Sequence, residues 1–283
     1  MQNSLTFKCP AKVNLFLHIT GKRQDGYHNI YTLFCPISLY DIITLEKSNK
    51  TTLTCSNKDI PVDSSNLILK THNILQNNYG LKDNFKIHLE KNIPTGAGLG
   101  GGSSNAANYL SNVNKISNLN LTYNQMAEIM ASIGSDTVFF LHNKPALASG
   151  RGEIIEEYIE LPQLYLLIIN PNIFISTKEI YSSPNLKYTS INSLDKIKKT
   201  YIFEELNSIM KNDMQNIVFN TCKEVKDIVD FLNNKTNGIA LMSGSGSTVF
   251  AVYENENQRD FAYNLAKEQY KTYLIEKAAI VNQ

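Results

Sequence analysis

Ten consecutive residues, Gly96-Ala97-Gly98-Leu99-Gly100-Gly101-Gly102-Ser103-Ser104-Asn105, constrain this chain more than any other stretch. Five of the ten are glycine, which lets the backbone turn sharply and approach a ligand with no side chain in between. The run follows an alternating apolar segment (Phe85, Ile87, Leu89) and Pro94, and it precedes the helix-compatible Ala106, Ala107 and Leu110. The first N–H groups of a helix lack partners inside it, and the helix dipole adds positive potential there. Strand, glycine loop and helix start in that order make a site for an anion, phosphate foremost. The competing reading is a flexible turn; two serines at a strand-to-helix junction argue against it.

Familiar phosphate loops do not fit. A Walker loop ends in Lys-Ser or Lys-Thr, and no lysine lies between Lys91 and Lys115. Gly96, Gly98 and Gly101 satisfy the dinucleotide spacing, but that fingerprint expects an acidic residue about 20 positions on. Nothing acidic stands between Glu90 and Glu128. The protein-kinase signatures H-R-D and D-F-G are missing as well.

Two further motifs flank this loop. Pro10-Ala11-Lys12-Val13-Asn14-Leu15 stands near the N-terminus, and Met242-Ser243-Gly244-Ser245-Gly246-Ser247 near the C-terminus. Together the three resemble, in order and over almost the whole chain, the signature motifs of the GHMP small-molecule kinases. Gly21-Lys22-Arg23-Gln24-Asp25-Gly26-Tyr27-His28, Gly134-Ser135-Asp136 and Ala148-Ser149-Gly150-Arg151-Gly152-Glu153 narrow the resemblance to members acting on a cytidylyl polyol. It implies an ATP-dependent kinase of the non-mevalonate isoprenoid route, using Mg²⁺, with ATP and a small-molecule substrate as partners. It also implies a two-lobed fold. The N-terminal lobe, residues 1–158, would resemble ribosomal protein S5 domain 2; the C-terminal lobe, residues 159–283, an α/β plait, with the active site in the cleft.

The resemblance assigns roles residue by residue. Pro94, Gly96, Ala97, Gly98, Leu99, Gly100, Gly101, Gly102, Ser103 and Ser104 would hold the phosphates, the two serines adding hydroxyl donors or a magnesium-bound oxygen. Lys91 would contact the nucleotide. Asp136 would be the catalytic base, with Lys12 as its cationic partner. Asn14 would meet the erythritol region; Tyr27 and Tyr181 would sandwich the base, with His28 at its edge and Thr177 on the same turn. Plainer readings stay open: a helix N-cap for Ser103 or Ser104, solvated surface for Lys91, a cap for Asp136, packing for Tyr181, a polar turn for His28. Gly244 and Gly246 would approach the glycine loop, form a tight turn between strands, or both. Relatives commonly read G-A-D-V-P-F where this chain has Gly134-Ser135-Asp136-Thr137-Val138-Phe139, which puts the local backbone in question. A kinase for mevalonate, homoserine or a sugar is the competing enzyme, and a catalytically dead nucleotide sensor the competing class.

The remaining sequence sets bounds. A net charge of +1 gives no general attraction to nucleic acid or an anionic membrane. The apolar run Leu164–Ile169 is too short to span a bilayer, and Met1-Gln2-Asn3-Ser4 has no secretory pattern. Cys9, Cys35, Cys55 and Cys222 are scattered without C-x-x-C pairs and read as reduced thiols in the cytoplasm. His18, His72, His88 and His142 share no ligand spacing. Monomer and weak homodimer both remain open.

Strands are expected at Ser4–Cys9, Val13–Ile19, Ile42–Leu45, Thr51–Cys55, Phe85–Leu89, Leu164–Ile169, Ile239–Met242, Thr248–Tyr253 and Thr272–Ile275. Helices are expected from Ser65 or Asn66 to Tyr79, at Tyr123–Ile133 and at Gln258–Gln269, with mixed helices before Leu232 and an exposed loop at Ser182–Ser193. Strands with only occasional helices indicate an α+β layout, divided near Glu156–Pro162.

Overall fold

The computed structural model describes residues 4–190 and 198–282. Met1–Asn3 and the last three positions of the expected Ser182–Ser193 loop lie outside the described residues. Two long antiparallel strands, β1 (Ser4–Lys22) and β2 (His28–Ser48), form its spine. The expectation of two strands, Ser4–Cys9 and Val13–Ile19, and of Ile42–Leu45 alone in the region of β2, is corrected here. Pro10 pairs with Tyr40 but Ala11 with Ile37, so β2 carries two extra residues at that point. The ladder is irregular where proline has no N–H to donate, and the strands continue past it.

Among the described residues, seven strands form the first sheet. Its path is β3 (Thr52–Cys55), β4 (Asn84–Glu90), β2, β1 and β8 (Lys211–Asn212), with β5 (Ala146–Ser149) on β2 and β6 (Ile154–Tyr158) on β5. Three helices cover it: α1 (Leu67–Tyr79), α2 (Gly101–Ile116) and α3 (Tyr123–Ile133). Asn66 caps α1 by accepting from Ile68 N–H, and Gly80 ends it in the left-handed region (φ 71°). Thr122 and Gln125 close a capping box on α3.

The second sheet runs β11 (Leu274–Ala279), β7 (Tyr165–Asn170), β10 (Val249–Tyr253), β9 (Ile239–Met242), all antiparallel. Around it lie α4 (Thr177–Tyr181), α5 (Phe203–Ile209), α6 (Gln215–Thr221), α7 (Lys223–Lys235) and α8 (Glu256–Gln269). The last strand begins two residues later than expected and runs four further. The chain crosses between sheets from Tyr158 to Tyr165, yet β8 returns to pair with β1 in parallel.

A shared core explains that return. Val13, Leu15 and Leu33 of the first sheet pack in one cluster with Leu166, Ile168, Phe250 and Val252 of the second. Leu99, from the glycine loop, is buried in the same cluster. Burying one leucine contributes about 1.5–3 kcal/mol, so the loop is pinned from beneath. All four cysteines are free. Among the described residues, no helix is long and apolar enough to cross a membrane.

Candidate active site

Strand alternation places Lys12 and Asn14 side by side on one face of β1, and α2 points its start at the same place. Between the lobes lies a cleft of about 1180 Å³, lined by both elements and by Asp136, Tyr27, His28, Thr177 and Tyr181.

The glycine-loop wall is built from backbone. Gly96, Gly98 and Gly100 are left-handed (φ 65°, 76° and 69°). Helix α2 begins at Gly101, five residues earlier than Ala106, and its N-cap is Gly100, with no side-chain cap. Neither Ser103 nor Ser104 is therefore the N-cap, which corrects that reading. The first helical bond is Ser104 N–H to Gly100 carbonyl (2.9 Å). The N–H groups of Gly101, Gly102 and Ser103 precede it in the first turn, where a helix supplies no acceptor. Ser104 is buried, its hydroxyl accepting from Asn108 Nδ2 (3.2 Å), and it does not line the cleft; Leu99 likewise faces the core. Their side chains are withdrawn from the site that the sequence drew around them.

The second glycine turn braces the first. A Cβ on Gly98 would stand 2.1 Å from the Ser243 carbonyl oxygen, and Ser243 Oγ donates to the Gly98 carbonyl (2.9 Å). Gly244 and Gly246 do form the link between strands β9 and β10, and Gly244 does approach Gly98.

Lys12 Nζ donates to Asn14 Oδ1 (2.6 Å) and to the Gly98 carbonyl (2.9 Å). Asn14 passes the chain on to Thr32 Oγ1 (2.8 Å). Asp136 instead accepts from Ser103 Oγ at 2.7 Å. Lys12 and Asp136 have no direct ion pair among the described residues; they are coupled through their fields. Burial lowers the Lys12 ammonium to about 8, and the Asp136 charge opposes that shift. Val138 stands at the position of the missing proline, and beside it the Thr137 hydroxyl donates to the Met130 (2.6 Å) and Gly134 (2.7 Å) carbonyls. That ties the Asp136 turn to the end of α3. Gly134 itself is extended, so its φ does not demand glycine.

Lys91 lines the cleft, but its ammonium is committed to Asp41 (3.0 Å) and the Ile93 carbonyl. Asp41, fully buried, also accepts N–H bonds from Asn92 and Ile93 (2.8 Å each). Sequence reading missed this anchor, because its partners are far apart along the chain.

The opposite wall is aromatic. His28 stacks on Tyr181 (centroids 4.8 Å apart, planes 17°), and Tyr188 Oη lies 3.4 Å from His28 Nε2. Tyr27 is 55% exposed and faces the Arg151 guanidinium, 5.1 Å from its ring centroid. The ring against Tyr181 is thus His28, not Tyr27. Burial and the Lys22 charge lower the His28 pKa, favouring neutral imidazole. Burial and the Asp136 charge push the Tyr181 phenol up to about 12. Thr177 and Ser245 hydroxyls are 2.7 Å apart, fastening α4 to the second glycine turn. Tyr188 and Arg151 were missed as site residues; only Arg151 stood in a noticed motif.

Comparison with known proteins fits this geometry. The family model "GHMP kinases N terminal domain" matches residues 66–144, and "GHMP kinases C terminal" matches residues 199–272. The chain belongs to the GHMP kinases. Within them it is similar to proteins named 4-diphosphocytidyl-2-C-methyl-D-erythritol kinase. That of Caldanaerobacter subterraneus is 38% identical over 278 residues, 96% of each chain. That of Chlorobium chlorochromatii is 37% identical over 270 residues, 94% of each. A crystal structure of 4-(cytidine 5'-diphospho)-2C-methyl-D-erythritol kinase aligns with a TM-score of 0.82 at 27% identity, covering 99% of this chain and 100% of that one. Homoserine kinase from Cytophaga hutchinsonii (TM-score 0.70, 16% identity, 100% of this chain and 96% of that one) shares the fold.

Proposed function

We propose that this chain transfers the γ-phosphoryl group of ATP to the 2-hydroxyl of 4-diphosphocytidyl-2-C-methyl-D-erythritol, in the non-mevalonate route to isoprenoid precursors. The observation that carries the chemistry is the 2.7 Å bond from Ser103 to Asp136 beside an α2 start with no side-chain cap. The substrate rests on the relatives and on the aromatic wall.

In this reading the first N–H groups of α2 hold the phosphates, and Lys12 offsets charge on the transferred group. Asp136 takes the proton of the attacking hydroxyl; the oxygen bonds to γ-phosphorus, and ADP leaves with the electron pair. The aromatic wall takes the cytosine, Asn14 supports Lys12 and the polyol, and Thr177 holds α4 in place. A hard cation prefers one or two carboxylates plus substrate phosphates, and Ser103 with Asp136 offers that oxygen set. No group of three His, Cys, Asp or Glu fit for a metal occurs among the described residues. Those two residues would hold Mg²⁺ brought in on ATP, which neutralises phosphate charge. We place the lobes at 1–158 and 159–283 and the enzyme in the cytoplasm, supported by its free thiols.

Phosphorylation of the cytidylyl substrate, compared with mevalonate, homoserine and galactose, tests this. Activity on one of those three and none on the cytidylyl compound would overturn the assignment.

A further inference from the structure

Strand β8 is two residues long, yet its last residue and the one after it reach both walls of the cleft. It pairs in parallel with β1 at Phe16 and Leu17, and Asp213 N–H extends the ladder to the Leu17 carbonyl (3.0 Å). Successive side chains of an extended segment point to opposite sides, so Asn212 and Asp213 hook different partners.

Asn212 turns to the second glycine turn. It is buried; its Nδ2 donates to the Met242 and Gly244 carbonyls (2.8 Å each), and its Oδ1 accepts from Met214 N–H (2.9 Å). Both amide hydrogens and the carbonyl oxygen are thereby engaged. Gly244 in turn lies against the glycine loop: a Cβ there would stand 3.3 Å from Gly98 Cα and 3.5 Å from Lys12 Nζ.

Asp213 turns to the segment after α4. Its carboxylate, 7% exposed, accepts from Ile19 N–H (3.0 Å) and the Thr189 hydroxyl (2.7 Å) through one oxygen. The other oxygen lies 3.4 Å from His18 Nδ1 and 3.7 Å from Lys211 Nζ. Thr189 N–H donates to the Ile19 carbonyl (2.7 Å). These bonds fix the chain one residue from Tyr188, the ring that meets His28 Nε2.

Buried polar groups cost free energy unless they are satisfied, and the partners that satisfy these two carry the walls of the cleft. We propose that Asn212 and Asp213 are positioning residues for phosphoryl transfer. Asn212 sets the glycine-loop wall through Gly244, and Asp213 sets the aromatic wall through Thr189 and Tyr188. Which ligand each wall takes rests on the proposed function; the division between the two hooks does not.

The test measures kcat and KM for ATP and for the cytidylyl compound in Asn212→Ala, Thr189→Val, Asp213→Ala and Asp213→Asn. Circular dichroism fixes a temperature at which each variant is folded. Asn212→Ala should lower kcat/KM for ATP about 10-fold, the scale of losing one or two buried hydrogen bonds, with the KM of the cytidylyl compound unchanged. Thr189→Val and Asp213→Ala should raise the KM of the cytidylyl compound about 10-fold, the scale of a hydrogen bond to a carboxylate, with the KM for ATP unchanged. Asp213→Asn should behave as wild type, because its Oδ1 still accepts from Ile19 and Thr189 while its amide faces His18 Nδ1. Losses that fall on both substrates alike, or an Asp213→Asn as damaged as Asp213→Ala, overturn the proposal.

Backbone hydrogen exchange reads the same division with no ligand present. Asn212→Ala should speed exchange at residues 242–246 and Asp213→Ala at residues 182–190, each sparing the other segment. Exchange that spreads over both segments in either variant overturns the inference even if the wild type phosphorylates the cytidylyl compound. A clean division in a wild-type background that fails to phosphorylate it upholds the hooks and overturns the kinase reading instead.

Discussion

The glycine-loop wall of the cleft is mostly backbone, whereas the facing wall is side chains from three separate segments. On the first, Leu99 sits in the shared core, Lys12 N–H bonds the Leu99 carbonyl (2.9 Å), and Ser243 presses on Gly98. These contacts tie the loop to both sheets. On the second, His28 starts β2, Tyr181 ends α4, and Tyr188 lies in the segment after it. Rings can part and restack. A base inserted between His28 and Tyr181 needs about 7 Å between ring planes, twice a carbon contact, against the 4.8 Å centroid distance found. On the proposed function the backbone wall is preformed for phosphate, while the aromatic wall must open or stack its ligand on an outer face.

Four experiments break or sharpen that contrast. Asp136→Asn, at the junction of the walls, keeps the shape and removes the base. It should lower kcat by about 10²- to 10⁴-fold with ATP binding retained; near-normal turnover would sink the role of Asp136. Gly98→Val meets the Ser243 carbonyl in a conformation that valine resists. If the backbone wall is rigid, ATP affinity should fall at least about 100-fold, two tenfold steps of 1.4 kcal/mol each. A folded variant with normal affinity would show a wall that yields.

Tyr181→Ala should be milder and confined to one substrate. Loss of one stacking face should raise the KM for the cytidylyl compound about 5- to 150-fold while the KM for ATP stays put. Equal damage to both would mean that the walls are not separate. The smallest effect is on pH. Lys12 is lowered to about 8, so its ammonium is present below that pH and lost above it. The kcat/KM profile should fall on the alkaline side near pH 8. In Asp136→Asn the limb should move to lower pH, since the charge opposing deprotonation is gone. An unmoved limb would assign it to another group.

The same contrast governs what the sequence disclosed. The backbone wall could be read because its parts are adjacent: glycines for the turns, then a helix whose free N–H groups follow from its start. Within it, the inward turn of the Ser104 hydroxyl and the Leu99 side chain could not be read, since it depends on helix phase and on a core contributed by β7 and β10. Asp41 stayed hidden because its contact with Asn105 spans 64 residues and it lies in no pattern of its own; Asn105 closes the ten-residue run, but its partner could not be read there. Tyr188 lay inside a polar stretch read only as loop. The strand expected at Ser4–Cys9 stopped short of Pro10 because the register shift that carries β1 past Pro10 exists only when β1 and β2 are paired.

The shared core has a further consequence, for the order in which the protein is made. Strand β11 docks late in the chain, yet Ile280 bridges to Ile37 and Val281 N–H bonds the Pro36 carbonyl (2.9 Å). The apolar inner face of β1 and β2 is thus covered by strands translated more than a hundred residues later. During synthesis that face must wait, exposed or held by a chaperone, and folding through such distant pairings is slow. Nascent chains stalled after Tyr158 should be protease-sensitive along β1 and β2, and chains long enough to free β11 from the ribosome should not be.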